Sequence, residues 1–153
     1  MGYARARKPE SREDDMTEFA LIAQIIVSLT VISVWTIRYN KATAWRGGDA
    51  NSMAEEFGTY GLSERMLVLT RITKLSLAAL LIAGIWMTDV AAAAALAMAG
   101  MMLVAVAMHV KVGDSIRKSV PAFTMLVLCL IVAYTYGVPG VEDATVAAAG
   151  GQG

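Results

Sequence analysis

Uncharged stretches long enough to cross a bilayer dominate the chain. Residues 19–37 and 90–108 each run 19 positions without a charged side chain, and residues 119–141 run 23. A helix needs about 20 mostly apolar residues to cross roughly 30 Å of hydrocarbon, so each stretch predicts one membrane span. The stretch at 75–88 holds only 14 uncharged residues, which cover about 21 Å at 1.5 Å per residue. It must therefore extend back through Lys74 and Arg71 to near Leu67. Lipid offers no water to unpaired backbone groups, so the expected fold is all-α, a four-transmembrane-helix antiparallel bundle. The helices are expected at about 18–38, 66–88, 89–110 and 119–138, in a membrane domain covering 18–141.

The ends of these runs carry their own punctuation. Asp89 is placed to cap the third helix, and Ser119 with Pro121 to open the fourth. Trp35, Tyr39 and Trp45 gather at one end of the first helix, while Trp86, Tyr134 and Tyr136 fall at the opposite end of the bundle, as two interfacial aromatic belts would. The third helix is rich in alanine, which lets neighbouring helices approach closely and predicts a central place for it. The connection between the first two helices is long for a bundle and is expected to be functional or partly structured. Within it Asp49 or Asn51 can cap a short interfacial helix at 53–57, with Met53 and Phe57 facing lipid and Gly58 and Gly61 ending it. Residues 1–17 alternate basic and acidic side chains and are expected to be a disordered tail, with Met16 an alternative start; residues 142–153 are expected to be a flexible tail.

Composition agrees with a bilayer: 57% of residues are hydrophobic and 17% charged, with a mean hydropathy of +0.56, against about a quarter charged in soluble domains. Thirteen basic residues balance thirteen acidic ones, so the electrostatic footprint of a nucleic-acid binder is missing. The single cysteine, Cys129, allows neither a disulfide nor a CxxC redox pair within the chain and reads as a small packing residue. One histidine, His109, cannot supply a bis-histidine haem site, and no metal site is predicted. No catalytic residues are assigned.

With four spans both termini share one side. The two loops on the other side hold Arg38, Lys41, Arg46, Arg65, Lys111, Arg117 and Lys118, seven basic residues against four in the N-terminal tail. Cytoplasmic loops carry the excess of Lys and Arg, so a cell-membrane protein with loops 38–65 and 111–118 in the cytoplasm and both termini outside is expected.

Polar groups inside a span are expensive, which makes them candidates for function. Arg71 and Lys74 lie three apart on one face of the second helix, near the loop end, where their long stems could also simply snorkel to headgroups. His109 ends the third helix on the same side, five residues before Asp114, and Glu55 and Glu56 stand on the nearby loop. Arg71, Lys74, His109, Asp114 and Glu55 are therefore the candidate ligand or partner site. Three cations crowded in a low dielectric need a negative group, which Asp114, Glu55, a bound anion or a quinone oxygen could supply.

Several of these features together resemble the DoxX and DoxX-like family of small four-helix membrane proteins. The likeness rests on the first-helix exit with Arg38 and Lys41, the turn Phe57-Gly-Thr-Tyr-Gly-Leu62, the Ala/Met-rich third helix ending in His109-x3-Gly113-Asp114, and a plain fourth helix. Where many relatives carry a glutamate early in the second helix, Lys74 and Ser76 stand here. The resemblance implies an accessory or structural subunit associated with a membrane redox complex, with no cofactor of its own. The alternative is a membrane oxidoreductase subunit in which Arg71, Lys74 and His109 donate to a quinone. A small transporter is the third reading, disfavoured because no carboxylate lies at depth in a span. The bilayer is the expected environment, and redox subunits or a second copy of the chain are the expected protein partners.

Overall fold

The computed structural model describes residues 9–137, with side chains from Glu13 onward. Its elements are α1 (Pro9–Trp35), α2 (Met53–Thr59), α3 (Glu64–Ala83), α4 (Thr88–Lys111) and α5 (Ile116–Tyr136). Among the described residues there are no strands, and α1 from Glu13, α3, α4 and α5 are each long and apolar enough to cross a membrane. The expected all-α bundle of four spans is therefore the observed fold.

The four long helices close a ring: α1 packs on α3, α3 on α4, α4 on α5 and α5 back on α1. Each presents a narrow stripe to the interior. On α1 the stripe is Ala20, Ala23, Val27, Val31 and Trp35, at helical spacing. On α3 it is Leu67, Lys74, Ala78 and Leu81. The outward faces are equally apolar, with Ile22, Leu29, Val68, Leu69, Ile72 and Leu103 all more than half exposed. Helices apolar all round suit a lipid surround.

Alanine's small side chain sets the spacing. Ala91, Ala92, Ala94, Ala95 and Ala99 of α4 are all buried, against neighbours on two sides. A ring of four has no central member, so α4 is the most heavily covered span rather than a core helix. The α3–α4 hairpin turns through residues 84–87 with consecutive backbone hydrogen bonds. A Cβ at Gly84 would lie 2.6–2.7 Å from the Cα, N and Cβ of Ala91. Only a glycine lets the two helices meet this closely.

Within the membrane Gln24 and Ser28 of α1 are fully buried. The Gln24 amide donates from Nε2 to the carbonyl of Leu81, near the end of α3, where the Ile85 N–H has turned instead to Ile82. Ser28 donates to the Gln24 carbonyl at 2.8 Å. A helix-end carbonyl that would be orphaned in hydrocarbon is thus capped by a neighbouring helix.

Several element ends differ from the sequence expectation. The segment 9–17 is helical, not disordered: a proline is accommodated at the first helical position, and the Thr17 hydroxyl donates to the Glu13 carbonyl one turn back at 3.0 Å. Residues 1–8 and 138–153 lie outside the description, and with them the expected C-terminal tail. α1 ends at Trp35, short of 38, and α3 ends at Ala83, short of 88. Asp89 sits in the first turn of α4, whose N-cap is Met87. α5 opens at Ile116 behind Ser115, which places Pro121 inside the helix and removes one backbone donor there.

The short helix α2 is capped by Ser52, not by Asp49 or Asn51: its hydroxyl accepts from the Glu55 N–H at 3.2 Å. Met53 and Phe57 are 5% and 8% exposed and pack inward, Phe57 edge-on to Trp35, so α2 belongs to the core and does not face lipid. Trp35 and Tyr39 are drawn inside with it, whereas Trp86 and Tyr134 are 78% and 82% exposed at the hairpin end, where an interfacial belt would lie.

Gly84→Ala should lower stability in detergent by about 1–3 kcal/mol, because the new Cβ meets backbone and not a flexible side chain. Gly100→Ala, on a part of α4 where a Cβ meets nothing within 4 Å, should be neutral or stabilising by up to about 1 kcal/mol. Thermal unfolding of the two variants side by side checks the contrast.

Candidate functional site

Residues 36–63 fold over one end of the ring, and a buried polar network pins them there. Its anchor is the Glu56 carboxylate on the inward face of α2. Arg46 Nη1 donates to Glu56 Oε2 at 2.8 Å, while the Gly47 N–H and the Tyr60 hydroxyl donate to Oε1 at 2.8 and 3.0 Å. Both members of the ion pair are buried, Arg46 5% and Glu56 8% exposed. Arg46 uses its other donors on the carbonyls of Arg38 at 2.7 Å, Tyr39 at 3.1 Å and Lys41 at 3.3 Å. A planar guanidinium with five donors can satisfy a turn and a carboxylate together, which an ammonium could not.

Tyr60 links this anchor to α4. Its hydroxyl lies 3.3 and 3.4 Å from the two ring nitrogens of His109, with the rings edge to face. Burial, then the charge of Glu56, holds the Tyr60 phenol well above its ordinary range, so it acts as a neutral donor. His109 Nδ1 meets Asp114 Oδ2 at 2.8 Å, and Asp114 Oδ1 accepts the Gly48 N–H at 2.9 Å. Lys118 bonds the Gly48 carbonyl and stands 3.4 Å from Asp114. Burial raises the Asp114 pKa, but the bonds from His109, Gly48 and Lys118 outweigh it and hold the carboxyl below its ordinary value. It stays ionised at neutral pH and fixes a proton on His109 Nδ1. Glycines are required where the loop crosses this network. A Cβ at Gly47 would fall 2.2 Å from the Tyr60 hydroxyl, and Gly48 holds φ +56°.

Beneath the lid lies a cavity of about 340 Å³, walled by all four spans. Its polar end is formed by Arg38, Arg46, Glu56, Tyr60, Lys74, His109 and Lys118, and the rest of its surface is mainly apolar. On α3 the lining runs Met66, Thr70, Lys74, and on α4 it runs from Met101 to His109, so the space separates these helices at the end far from their hairpin.

The five residues expected from sequence are not one cluster. Lys74 and His109 line the cavity, and Asp114 stands directly behind His109. Arg71 is turned aside, its guanidinium 4.5 Å from the centre of the Tyr39 ring. Glu55 points outward and accepts from the Asn51 N–H at 2.9 Å, closing the N-terminus of α2. Its neighbour Glu56 takes the inward place, because 56 lies on the stripe Met53, Glu56, Phe57, Tyr60 and 55 does not. That stripe, at i, i+3, i+4 and i+7, was the available signal for Glu56 and Tyr60. Arg46, Gly47 and Gly48 carried no helical signal and enter through loop geometry alone. Among the described residues no group of three His, Cys, Asp or Glu side chains is placed to hold a metal.

The chain matches the model of the DoxX-like family over residues 41–134, more than half its length. It belongs to the DoxX-like family. The matched segment of this DoxX-like protein begins in the lid and contains Arg46, Glu56, Tyr60, Lys74, His109 and Asp114. No curated protein and no solved structure matches the chain.

Removing one partner of the buried ion pair leaves the other uncompensated, at a cost of about 3–5 kcal/mol. Arg46→Met should therefore detach the lid: hydrogen exchange should rise across 41–63 while the buried stretch of α4 near the hairpin stays protected. Equal loss of protection in both regions would show that the pair supports the whole bundle and not the lid.

Proposed function

We propose that this DoxX-like membrane protein is a non-catalytic accessory subunit of a membrane redox complex, and that its bundle receives the head of a small amphipathic molecule. The cavity of about 340 Å³ carries this reading, with mainly apolar walls and its charged groups gathered toward the lid. Sites for small ligands are typically apolar hollows with a few placed polar groups and begin near 300 Å³. A space of this size suits one head, with the remainder of the molecule passing between helices into lipid.

A quinone is the second reading. The rings of Trp35, Phe57, Tyr60 and His109 meet at the lid end and offer flat apolar surfaces, and Lys74 offers N–H donors to a ring carbonyl. Purification in mild detergent, followed by mass spectrometry of extracted lipids, quinones and co-purifying subunits, tests both readings. An amphipathic molecule should be retained by the native protein and lost from Ala105→Trp, which fills the cavity wall. Retention unchanged by that substitution would place the molecule elsewhere.

The orientation we propose puts loops 38–65 and 111–118 in the cytoplasm, supported by seven basic residues there against four in the N-terminal tail. In a Cys129→Ser background, Met87→Cys should react with an impermeant thiol reagent from outside the cell and Lys41→Cys should not. The opposite pattern reverses the assignment.

A further inference from the structure

Lys74 stands in the middle of the inward stripe of α3, 8% exposed, with its ammonium 5.4 Å from the centre of the Trp35 ring. The other buried polar and charged groups at this end are engaged. Arg46 and Glu56 neutralise each other at 2.8 Å, and His109 is held by Asp114 at 2.8 Å. Lys74 has no ion pair or hydrogen bond among the described residues, and it lines the cavity. The Glu56 oxygens, the buried negative charge of the lid, already accept from Arg46, Gly47 and Tyr60.

An ammonium carries three donors and a full charge, and the indole face satisfies neither need completely. A neutral carbonyl would accept one hydrogen bond and leave the charge standing in a low dielectric. A carboxylate would supply the acceptors and cancel the charge, in the short geometry of charge-assisted hydrogen bonds. The far wall suits what such a head carries. Met101, Met102 and Met125 are unbranched and adaptable, and fit a hydrocarbon chain without a fixed shape. Met66 on α3 and Val104 on α4 both line the cavity and are 45% and 54% exposed. These two side chains mark the gap between α3 and α4 as the way out for a tail.

We infer that the cavity takes a single-chain anionic amphiphile, a long-chain carboxylate whose head pairs with Lys74 and whose tail leaves between α3 and α4. This rests on the cavity being a ligand site, as proposed above, and adds the charge of the ligand and the residue that selects it.

Equilibrium binding of radiolabelled palmitate and methyl palmitate to the purified full-length protein in lipid nanodiscs tests it, since the two share a chain and differ in charge. Palmitate should bind at least about tenfold more tightly than the ester, the scale of one charge-assisted hydrogen bond. Lys74→Met should weaken palmitate binding more than ester binding and so bring the two affinities together, with unchanged thermal unfolding in detergent showing that the variant is folded. Lys74→Arg should keep the preference. Equal binding of acid and ester by the native protein, a preference that survives Lys74→Met, or no palmitate binding at all overturns the inference. Ala105→Trp separates the two levels. If acid and ester bind equally and both are lost on filling the cavity, the ligand site stands and the ionic selection falls. If both ligands stay bound to Ala105→Trp, neither occupies the cavity and the site reading falls with it.

Discussion

Three donors converge on the Glu56 carboxylate, and the lid end of the bundle is arranged around satisfying that charge away from water. An ionised carboxylate carries a desolvation penalty of several kcal/mol unless opposite charge and hydrogen bonds offset it. Arg46 supplies the charge, and its remaining donors take three carbonyls of the segment that follows α1. One pair thereby ties the exit of α1, the loop and α2 into a single unit. Tyr60, held by the same carboxylate, passes the contact to His109, and His109 passes it to Asp114 and back to the loop at Gly48. The lid is thus fastened on its own helix, on α4 and, through Lys118 and Gly48, on α5.

The spans were legible because span length and absence of charge are properties of a chain segment by itself. Their ends were less so. α3 ends at Ala83, five residues before the expected limit, at Gly84, whose close approach to Ala91 depends on a neighbouring helix that the local pattern does not contain. The short helix was legible as a helix and misread as to its face. Its apolar positions 53 and 57 fit lipid or core equally well, and burial of Trp35 beneath them decided for core. Lys74 and Arg71 looked equivalent, three residues apart near one boundary. Helical spacing puts both on the face of Leu67, Ala78 and Leu81, and tertiary contacts separate them: Arg71 is drawn over the Tyr39 ring, while Lys74 is buried beside Trp35. Arg46 could not be singled out among seven loop cations, because its role comes from backbone carbonyls brought together by the fold.

The two ends of the bundle divide the work between close packing and open space. At the hairpin, glycine and alanine bring α3 and α4 into backbone contact. Toward the lid the facing residues become methionines, threonine and lysine, and the helices part around the cavity. Small residues at one end and long flexible ones at the other thus make a wedge-shaped gap whose wide end is covered by the polar lid.

The bond from Gln24 to the Leu81 carbonyl has a consequence for how the first span is seated. Short turns join α3, α4 and α5, so their relative heights are set by the chain itself. The connection at 36–63 is too long to set the height of α1 by its length, and it holds only the exit of that helix. Sliding α1 by one turn, about 5.4 Å, would carry the amide past its carbonyl and leave both unpaired in hydrocarbon. A single side chain therefore works as a ruler for the insertion depth of α1, and it frees the long connection to be shaped as a cover instead of a spacer.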